Sequence, residues 1–170
     1  INTMEKVIVT GSKGFIAKNL IKQIDDKYKL MFIDEDIFQR DNWISVLDTS
    51  LNKFKPNIIF HIGACSNTLE VDVNYMMTRN YEFTRVLSDY CKEHNCKMIY
   101  SSSAANYGTN NQYPSNLYGW SKYVAEQYVI KNRGIALRYF NVYGHLEDHK
   151  GKMASVAYQM IEKQKNGQEI

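Results

Sequence analysis

Lys6-Val7-Ile8-Val9-Thr10-Gly11-Ser12-Lys13-Gly14-Phe15-Ile16-Ala17 is the stretch whose reading decides the fold. The apolar run up to Thr10 ends on a glycine and reads as a buried strand. Beyond the turn, Ile16, Leu20, Ile21 and Ile24 recur at helical spacing. Strand, glycine turn and helix make an anion cradle, because backbone N–H groups and the helix N-terminus face whatever sits above the turn. The spacing is Gly-x-x-Gly-x-x-Ala rather than the common dinucleotide fingerprint Gly-x-Gly-x-x-Gly. On this segment alone an ordinary strand-to-helix turn remains the competing reading.

The same alternation runs outward from there. Leu30–Ile33 is the next strand, closing on Asp34, a position from which a carboxylate can accept hydrogen bonds from an adenosine ribose. A solvated turn of Asp34, Glu35 and Asp36 is the alternative. Asn42–Phe54 carries an apolar stripe of Trp43, Val46, Leu47, Leu51 and Phe54, and Lys55-Pro56-Asn57 breaks it. Asn57–Ile62 is a continuous buried strand before the small-residue loop Gly63-Ala64-Cys65-Ser66, with His61 expected to satisfy a core hydrogen bond. Val73–Glu93 reads as one long helix. Lys97–Tyr100 is a strand running into Ser101-Ser102-Ser103-Ala104-Ala105, with the serines beyond its end. A helix over Leu117–Lys131, a strand over Ile135–Phe140 ending at Asn141, and an amphipathic helix over Met153–Lys165 complete the chain. This pattern predicts an α/β fold, a doubly wound parallel sheet with helices on both faces, as one domain over residues 1–170. Its carboxyl edge would gather the Gly11 turn, Asp34, the Gly63 loop, Ser103 and Asn141.

Composition narrows the class of partner. The 170 residues carry a formal charge of only +3, which argues against nucleic acid and against an anionic membrane surface. No apolar run approaches a bilayer span, and no secretory signal opens the chain, where Ile1-Asn2-Thr3 precede Met4. Three cysteines, Cys65, Cys91 and Cys96, are an odd number without metal-ligand pairing, which favours a reducing, cytoplasmic setting. Cys91, His94 and Cys96 lie close in sequence, but a helix end running into a strand explains them, and no metal is expected.

The chemistry concentrates in Tyr118-Gly119-Trp120-Ser121-Lys122. Tyrosine and lysine four apart lie on one helical face. There the ammonium is expected to lower the phenol's pKa, so that the phenol can take a proton from an alcohol near neutral pH. Ser103, a little upstream, could bind the same substrate oxygen.

Together, Thr10-Gly11-x-x-Gly14-Phe15-Ile16, the Ser-Ser-Ser-Ala run, Tyr118-x-x-x-Lys122 and Arg138-Tyr139-Phe140-Asn141-Val142-Tyr143-Gly144 resemble the extended short-chain dehydrogenase/reductases. These are the nucleotide-sugar epimerases and dehydratases, built on a Rossmann-type sheet. Two further segments, His61–Ser66 with Tyr75-Met76-Met77, and Arg138–Gly144 continuing through His149–Ala157, are similar to the ADP-glyceromanno-heptose 6-epimerase branch. The resemblance implies roles. Gly11, Gly14, Phe15 and Ile16 would pass under the pyrophosphate of NAD or NADP. Asp34, with Glu35, would meet the adenosine ribose. Ile62, Gly63, Ala64, Cys65 and Ser66 would line the cofactor, with Asn80 nearby. Ser103 would bond the reacting hydroxyl and Tyr118 would be the acid/base. Lys122 would bind the nicotinamide ribose, Asn141 and Lys152 would contact substrate, Val142 the cofactor, and Lys150 would be a second acid/base.

The implied activity is epimerisation of a nucleotide sugar through transient oxidation, by a homo-oligomer. A UDP-hexose 4-epimerase and a catalytically idle nucleotide-binding module are the alternatives. A 4,6-dehydratase fits less well, since Ala104 and Ala105 follow Ser103 where that branch carries acidic residues. Two departures accompany the resemblance. The passage from Asp34 to Asn57 is short for the family, which implies a compressed strand–helix unit at the adenosine end. Lys152 replaces a small residue and Gln159 a histidine. The family also continues well beyond residue 170, so most of the substrate-binding part would lie outside this chain, with residues 153–170 as its start.

Overall fold

The computed structural model describes residues 4–168, apart from the side chains at positions 149, 152 and 153. Five strands form one parallel sheet: β1 (Lys6–Thr10), β2 (Lys29–Ile33), β3 (Ile58–His61), β4 (Lys97–Ser103) and β5 (Ile135–Tyr139), in the order β2-β1-β3-β4-β5. Register is continuous across the sheet, with Thr10 opposite Ile33 on one side and His61 on the other. The chain leaves β1 toward β2 and then returns past β1 to lay down β3. The switch point therefore lies between β1 and β3, where doubly wound sheets open a crevice at their carboxyl edge. The short passage after Asp34 has a structural counterpart. Between β2 and β3 the chain forms a 3-10 stretch (Glu35–Gln39) and helix α2 (Trp43–Phe54) but no strand, so β2 is the sheet edge.

Strand alternation sorts the core into two layers. Val7 and Val9 point to α1 (Phe15–Ile24) and pack on Ala17 and Ile21. Ile8 points the other way, into a larger cluster with Leu47 and Leu51 of α2, Phe83 and Leu87 of α4 (Phe83–Glu93), and Ala125 and Val129 of α5 (Leu117–Lys131). Helices thus cover both faces, though unequally.

Two expectations about elements change. The long helix after the Gly63 loop is interrupted. A short α3 (Val73–Met77) leads into a π-helical turn, Thr78–Glu82, before α4 resumes the α pitch. The wide turn places Asn80 inward, 1% exposed. Strand β4 is longer than its apolar run, because Ser101, Ser102 and Ser103 pair with Leu137, Arg138 and Tyr139 of β5. The serines are strand residues delivering hydroxyls at the sheet edge, not a loop beyond it. The final helix, α6, begins at Val156 and runs to Lys165.

Candidate active site

The switch point is assembled backbone against backbone. Gly11 has φ +67°, and a Cβ there would come 2.5 Å from the Cα of Gly63; a Cβ on Gly63 would meet the Gly11 nitrogen at 2.8 Å. Only glycine at both positions lets the two loops touch. Thr10 fastens them: its Oγ1 accepts from the N–H groups of Ile62 (3.0 Å) and Gly63 (2.9 Å). The same oxygen lies 2.7 Å from His61 Nδ1, and His61 Nε2 lies 2.8 Å from Thr84 Oγ1. Thr84 donates its own proton to the Asn80 carbonyl, so Nε2 must carry the histidine proton and Thr10 must donate to Nδ1. Burial, reinforced by the Lys122 charge, lowers His61 to about 3, so the ring is neutral in this chain of bonds. His61 is a core histidine, as its position in the strand suggests.

Two adjoining clefts open on this edge. The first, about 510 Å³, is lined by Gly11, Gly14, Phe15, Asp34, Glu35, Phe38, Gly63 and Arg79 among others. The second, about 650 Å³, is lined by Ser103, Tyr118, Lys122, Asn141, Val142 and the first residues of α6. Ile16, Ile62, Ala64, Ser66 and Lys150 belong to both, so the two form one groove. At its waist, the first turn of α1 has no side-chain cap after Gly14, leaving backbone donors aimed at the groove. An elongated groove with free helix donors at its middle fits a dinucleotide pyrophosphate.

Most of the sequence-derived cofactor positions lie on this groove, but two do not. Asn80 and Cys65 are buried beneath the loop. The Asn80 Oδ1 accepts from the Cys65 N–H (2.7 Å), and its Nδ2 donates to the Cys65 carbonyl (3.0 Å) and to Ser121 Oγ (2.9 Å). Neither side chain lines either cleft. Through Asn80, the Gly63–Ser66 loop is held against α5. Asp34 is on the groove, but both its oxygens are engaged: Ser12 donates its N–H to Oδ1 (2.6 Å) and its hydroxyl to Oδ2 (2.7 Å). Glu35 accepts from Arg79 Nε at 2.6 Å. Lys150 Nζ stands 4.4 Å from the centre of the Phe15 ring, over the cradle. Lys152 lies outside the described side chains. Cys91 and Cys96 are free, and His94 stacks on Tyr90, its Nδ1 3.0 Å from the Tyr90 carbonyl.

Tyr118 and Lys122 sit one turn apart on α5, whose start is fixed by Asn116 accepting from the Gly119 N–H (2.8 Å). Gly119 itself has no room for a side chain, since a Cβ would meet the Ala105 carbonyl at 2.8 Å. The electrostatics differ from the expectation that Lys122 lowers the tyrosine. Burial raises the Tyr118 phenol, opposed by its hydrogen bond to Ser103. Burial instead lowers Lys122, to about 7, with Glu126 pulling it back up. The Lys122 ammonium faces the Tyr100 ring at 4.3 Å. Lysine and tyrosine are therefore moved apart, the lysine downward and the phenol upward, with burial as the first cause of both. A buried lysine readily exchanges its proton, and Ser103 supplies the direct bond to the phenol.

Under this pair lies a cluster that motif reading did not single out. Glu126, 3% exposed in its side chain, accepts from Ser102 (2.5 Å), from Asn106 (3.0 Å) and from Arg138 through Nε and Nη2 (2.9 and 2.6 Å). Burial pushes its carboxyl up, but the bonds from Arg138 and Ser102 win and lower it. The signal was available: Glu126 follows Lys122 by four residues, and Arg138 opens the motif through Gly144. A second buried carboxylate, Glu147, accepts from the N–H groups of Gly144 (2.7 Å) and Ser155 (2.8 Å). It closes the loop that brings α6 to the cleft.

Comparison with known proteins agrees with this geometry. The ADP-L-glycero-D-manno-heptose-6-epimerase of Brachyspira hyodysenteriae is 36% identical over 204 residues, covering 96% of this chain and 63% of that protein. The solved structure of the Helicobacter pylori ADP-L-glycero-D-manno-heptose-6-epimerase superposes with a TM-score of 0.78 at 26% identity, over 94% of this chain and 63% of that one. At the level of fold alone, Bordetella bronchiseptica WbmG, solved in complex with NAD, gives a TM-score of 0.80 at 17% identity, over 99% of this chain and 62% of that one. The chain thus spans less than two thirds of the length of these proteins. With the family model matched from residue 7 to residue 170, the chain belongs to the NAD dependent epimerase/dehydratase family.

Proposed function

We propose that this chain forms the cofactor-binding and proton-transfer part of a nucleotide-sugar epimerase acting on an ADP-glyceromanno-heptose. The observation that carries the reading is the convergence of Ser103, Tyr118 and Lys122 on one cleft that is continuous with the glycine-turn groove. A bound NAD or NADP would supply the hydride acceptor and donor, the part of the chemistry no side chain can perform. Gly14, Phe15 and Ile16 would hold it at the α1 N-terminus, with Asp34 and Arg79 at the adenosine end and Lys122 and Val142 at the nicotinamide end.

The chain's own residues then handle the proton. Tyr118 Oη takes the proton of a sugar hydroxyl as that carbon is oxidised, and gives it back when the carbonyl is reduced from its other face. Ser103 Oγ donates to the same sugar oxygen and stabilises its developing charge. Lys122 is poised by its lowered pKa to take up and release a proton near neutrality. Asn141 would orient the sugar, and Lys150, which also lines this cleft, remains the second acid/base candidate. Val156 and Ala157 at the start of α6 close one wall, and the region from residue 153 onward would begin the substrate side.

The heptose assignment is supported by the 36% identity to a heptose epimerase. Among the described residues no helix is long and apolar enough to cross a membrane. We place the protein in the cytoplasm, as a homo-oligomer, on the strength of its free, buried cysteines and the family resemblance. The test is Tyr118→Phe in the whole protein. NMR of ADP-heptose should show loss of epimerisation by about a hundredfold or more, with dinucleotide binding retained. Unchanged turnover would exclude Tyr118 as the acid/base. Turnover of a UDP-hexose but not of ADP-heptose would move the assignment to the 4-epimerases.

A further inference from the structure

Lys122 is buried without an acceptor for its N–H groups. It is 3% exposed, yet among the described residues its Nζ makes no hydrogen bond and no ion pair. An ammonium taken out of water ordinarily finds such partners or gives up its proton. Glu126, one turn further along α5, is spent elsewhere, since its oxygens accept from Ser102, Asn106 and Arg138. What the ammonium does meet is a ring: Nζ stands over Tyr100, 4.3 Å from the ring centre. That ring is fixed in place. Tyr100 lies on β4, 1% exposed, directly opposite His61 of β3 in the sheet register. The two rings pack with centres 5.5 Å apart and planes 32° apart. The Tyr100 hydroxyl points toward Thr84 without completing a hydrogen bond, so the residue makes its contacts through the ring.

We propose that Tyr100 is a positioning residue of the site, whose ring face holds the Lys122 ammonium in the cleft as a cation. The inference rests on the reading of Lys122 as the group that handles a proton and binds a ribose. A ring face attracts positive charge through its quadrupole without supplying a lone-pair acceptor. The N–H donors of Lys122 are thereby left for the hydroxyls of a ligand in the cleft it lines. A carboxylate in the same place would occupy those donors. An aliphatic side chain would let the ammonium lose its proton at lower pH still. The groups around Tyr118 and Lys122 leave this task to the ring. On β3, burial lowers His61 to about 3, so it is neutral. In the loop after β3 burial raises the Cys65 thiol, and on α5 it raises the Tyr118 phenol, so neither carries charge near neutral pH. On β5, Arg138 is turned to Glu126. Glu126 favours the ammonium through space, without touching it.

The experiment follows the Lys122 Cε resonance of the whole protein by NMR as pH is varied, with Lys122→Met identifying the signal. Position 100 carries in turn tyrosine, phenylalanine, and phenylalanine with one, two or three ring fluorines, introduced by stop-codon suppression. Fluorine withdraws charge from the ring face with little change in size. Tyr100→Phe should leave the midpoint where it is in the native protein, because the ring is kept and no hydrogen bond is lost. Along the fluorinated series the midpoint should fall stepwise, by about one pH unit in all. Tyr100→Leu should show the same fall; if the cavity it opens prevents folding, the fluorinated series decides. A midpoint unmoved by fluorine would assign Tyr100 to packing alone and overturn the proposal. So would a fall already complete in Tyr100→Phe, which would place the effect in the hydroxyl. The pH profile of kcat for ADP-heptose epimerisation should move down with the midpoint. A profile that stays put while the midpoint falls would overturn the epimerase role of Lys122, and leave the hold of the ring on its charge established.

Discussion

Lys122 is stabilised in its neutral form by the fold. It is almost fully buried, and burial lowers its pKa from 10.5 to about 7. The sign of the resulting pH dependence follows directly. A lysine whose pKa is depressed in the folded state binds fewer protons there than in the unfolded chain throughout the interval between the two values. Stability from this group is fully present above about 10.5, falls as pH is lowered through the interval, and is lost below about 7. Each pH unit inside the interval is worth up to about 1.4 kcal/mol. Lys122→Met removes the titration, so its melting temperature should exceed that of the native chain most near neutral pH. The gap should close as pH rises toward 10. A difference independent of pH would mean that the buried ammonium carries no such cost. His61 adds nothing in that window, since its titration ends near the ordinary histidine value of 6.5.

At the scale of elements, a buried carboxylate ties α5 to the sheet. Glu126 links α5 to β4 through Ser102 and to β5 through Arg138. Glutamine keeps a single carbonyl oxygen, which can face Arg138 or face Ser102 and Asn106 but not both, and the charge on the Arg138 partner is lost. Glu126→Gln should therefore destabilise the chain by about 2–3 kcal/mol in urea unfolding. It should also disturb Lys122, whose pKa Glu126 raises. A stability change under about 0.5 kcal/mol would assign the network no structural weight. The elements themselves were largely legible beforehand. The strand–glycine turn–helix from Lys6, the helix from Leu117 and the strand from Ile135 follow directly from apolar periodicity and breakers. The interruption at Thr78–Glu82 was not, because a π turn keeps the apolar spacing on either side and depends on Asn80 finding Cys65 across the fold. Nor was the true end of β4, since serines carry no hydrophobic signal and are held in the strand by pairing with β5.

Across the whole molecule, the sheet's carboxyl edge was readable as a site because parallel order sends every strand end to one side. What each residue does there was less readable. Asp34, Asn80 and Cys65 all occupy expected positions. Their bonding partners, Ser12 for the first and each other for the rest, are fixed only by three-dimensional packing. The continuity of the two clefts is likewise a property of the fold, since Ile16 of α1, Ile62 and Ala64 of the loop after β3, and Lys150 before α6 join them. That continuity has a measurable consequence. If the groove takes one dinucleotide end to end, the two halves of that ligand bind as a linked pair, and the link supplies an effective concentration neither half has alone. NADPH should then raise the melting temperature of this chain well beyond the combined effect of adenosine 2′,5′-bisphosphate and reduced nicotinamide mononucleotide at equal concentrations. At a hundredfold excess over its dissociation constant the stabilisation should be about 2.7 kcal/mol, or a shift of about 5–10 °C for a chain of this size. Equal shifts from the linked ligand and the mixture of its halves would mean that the clefts act separately, and that the glycine turn does not carry the bridge between them.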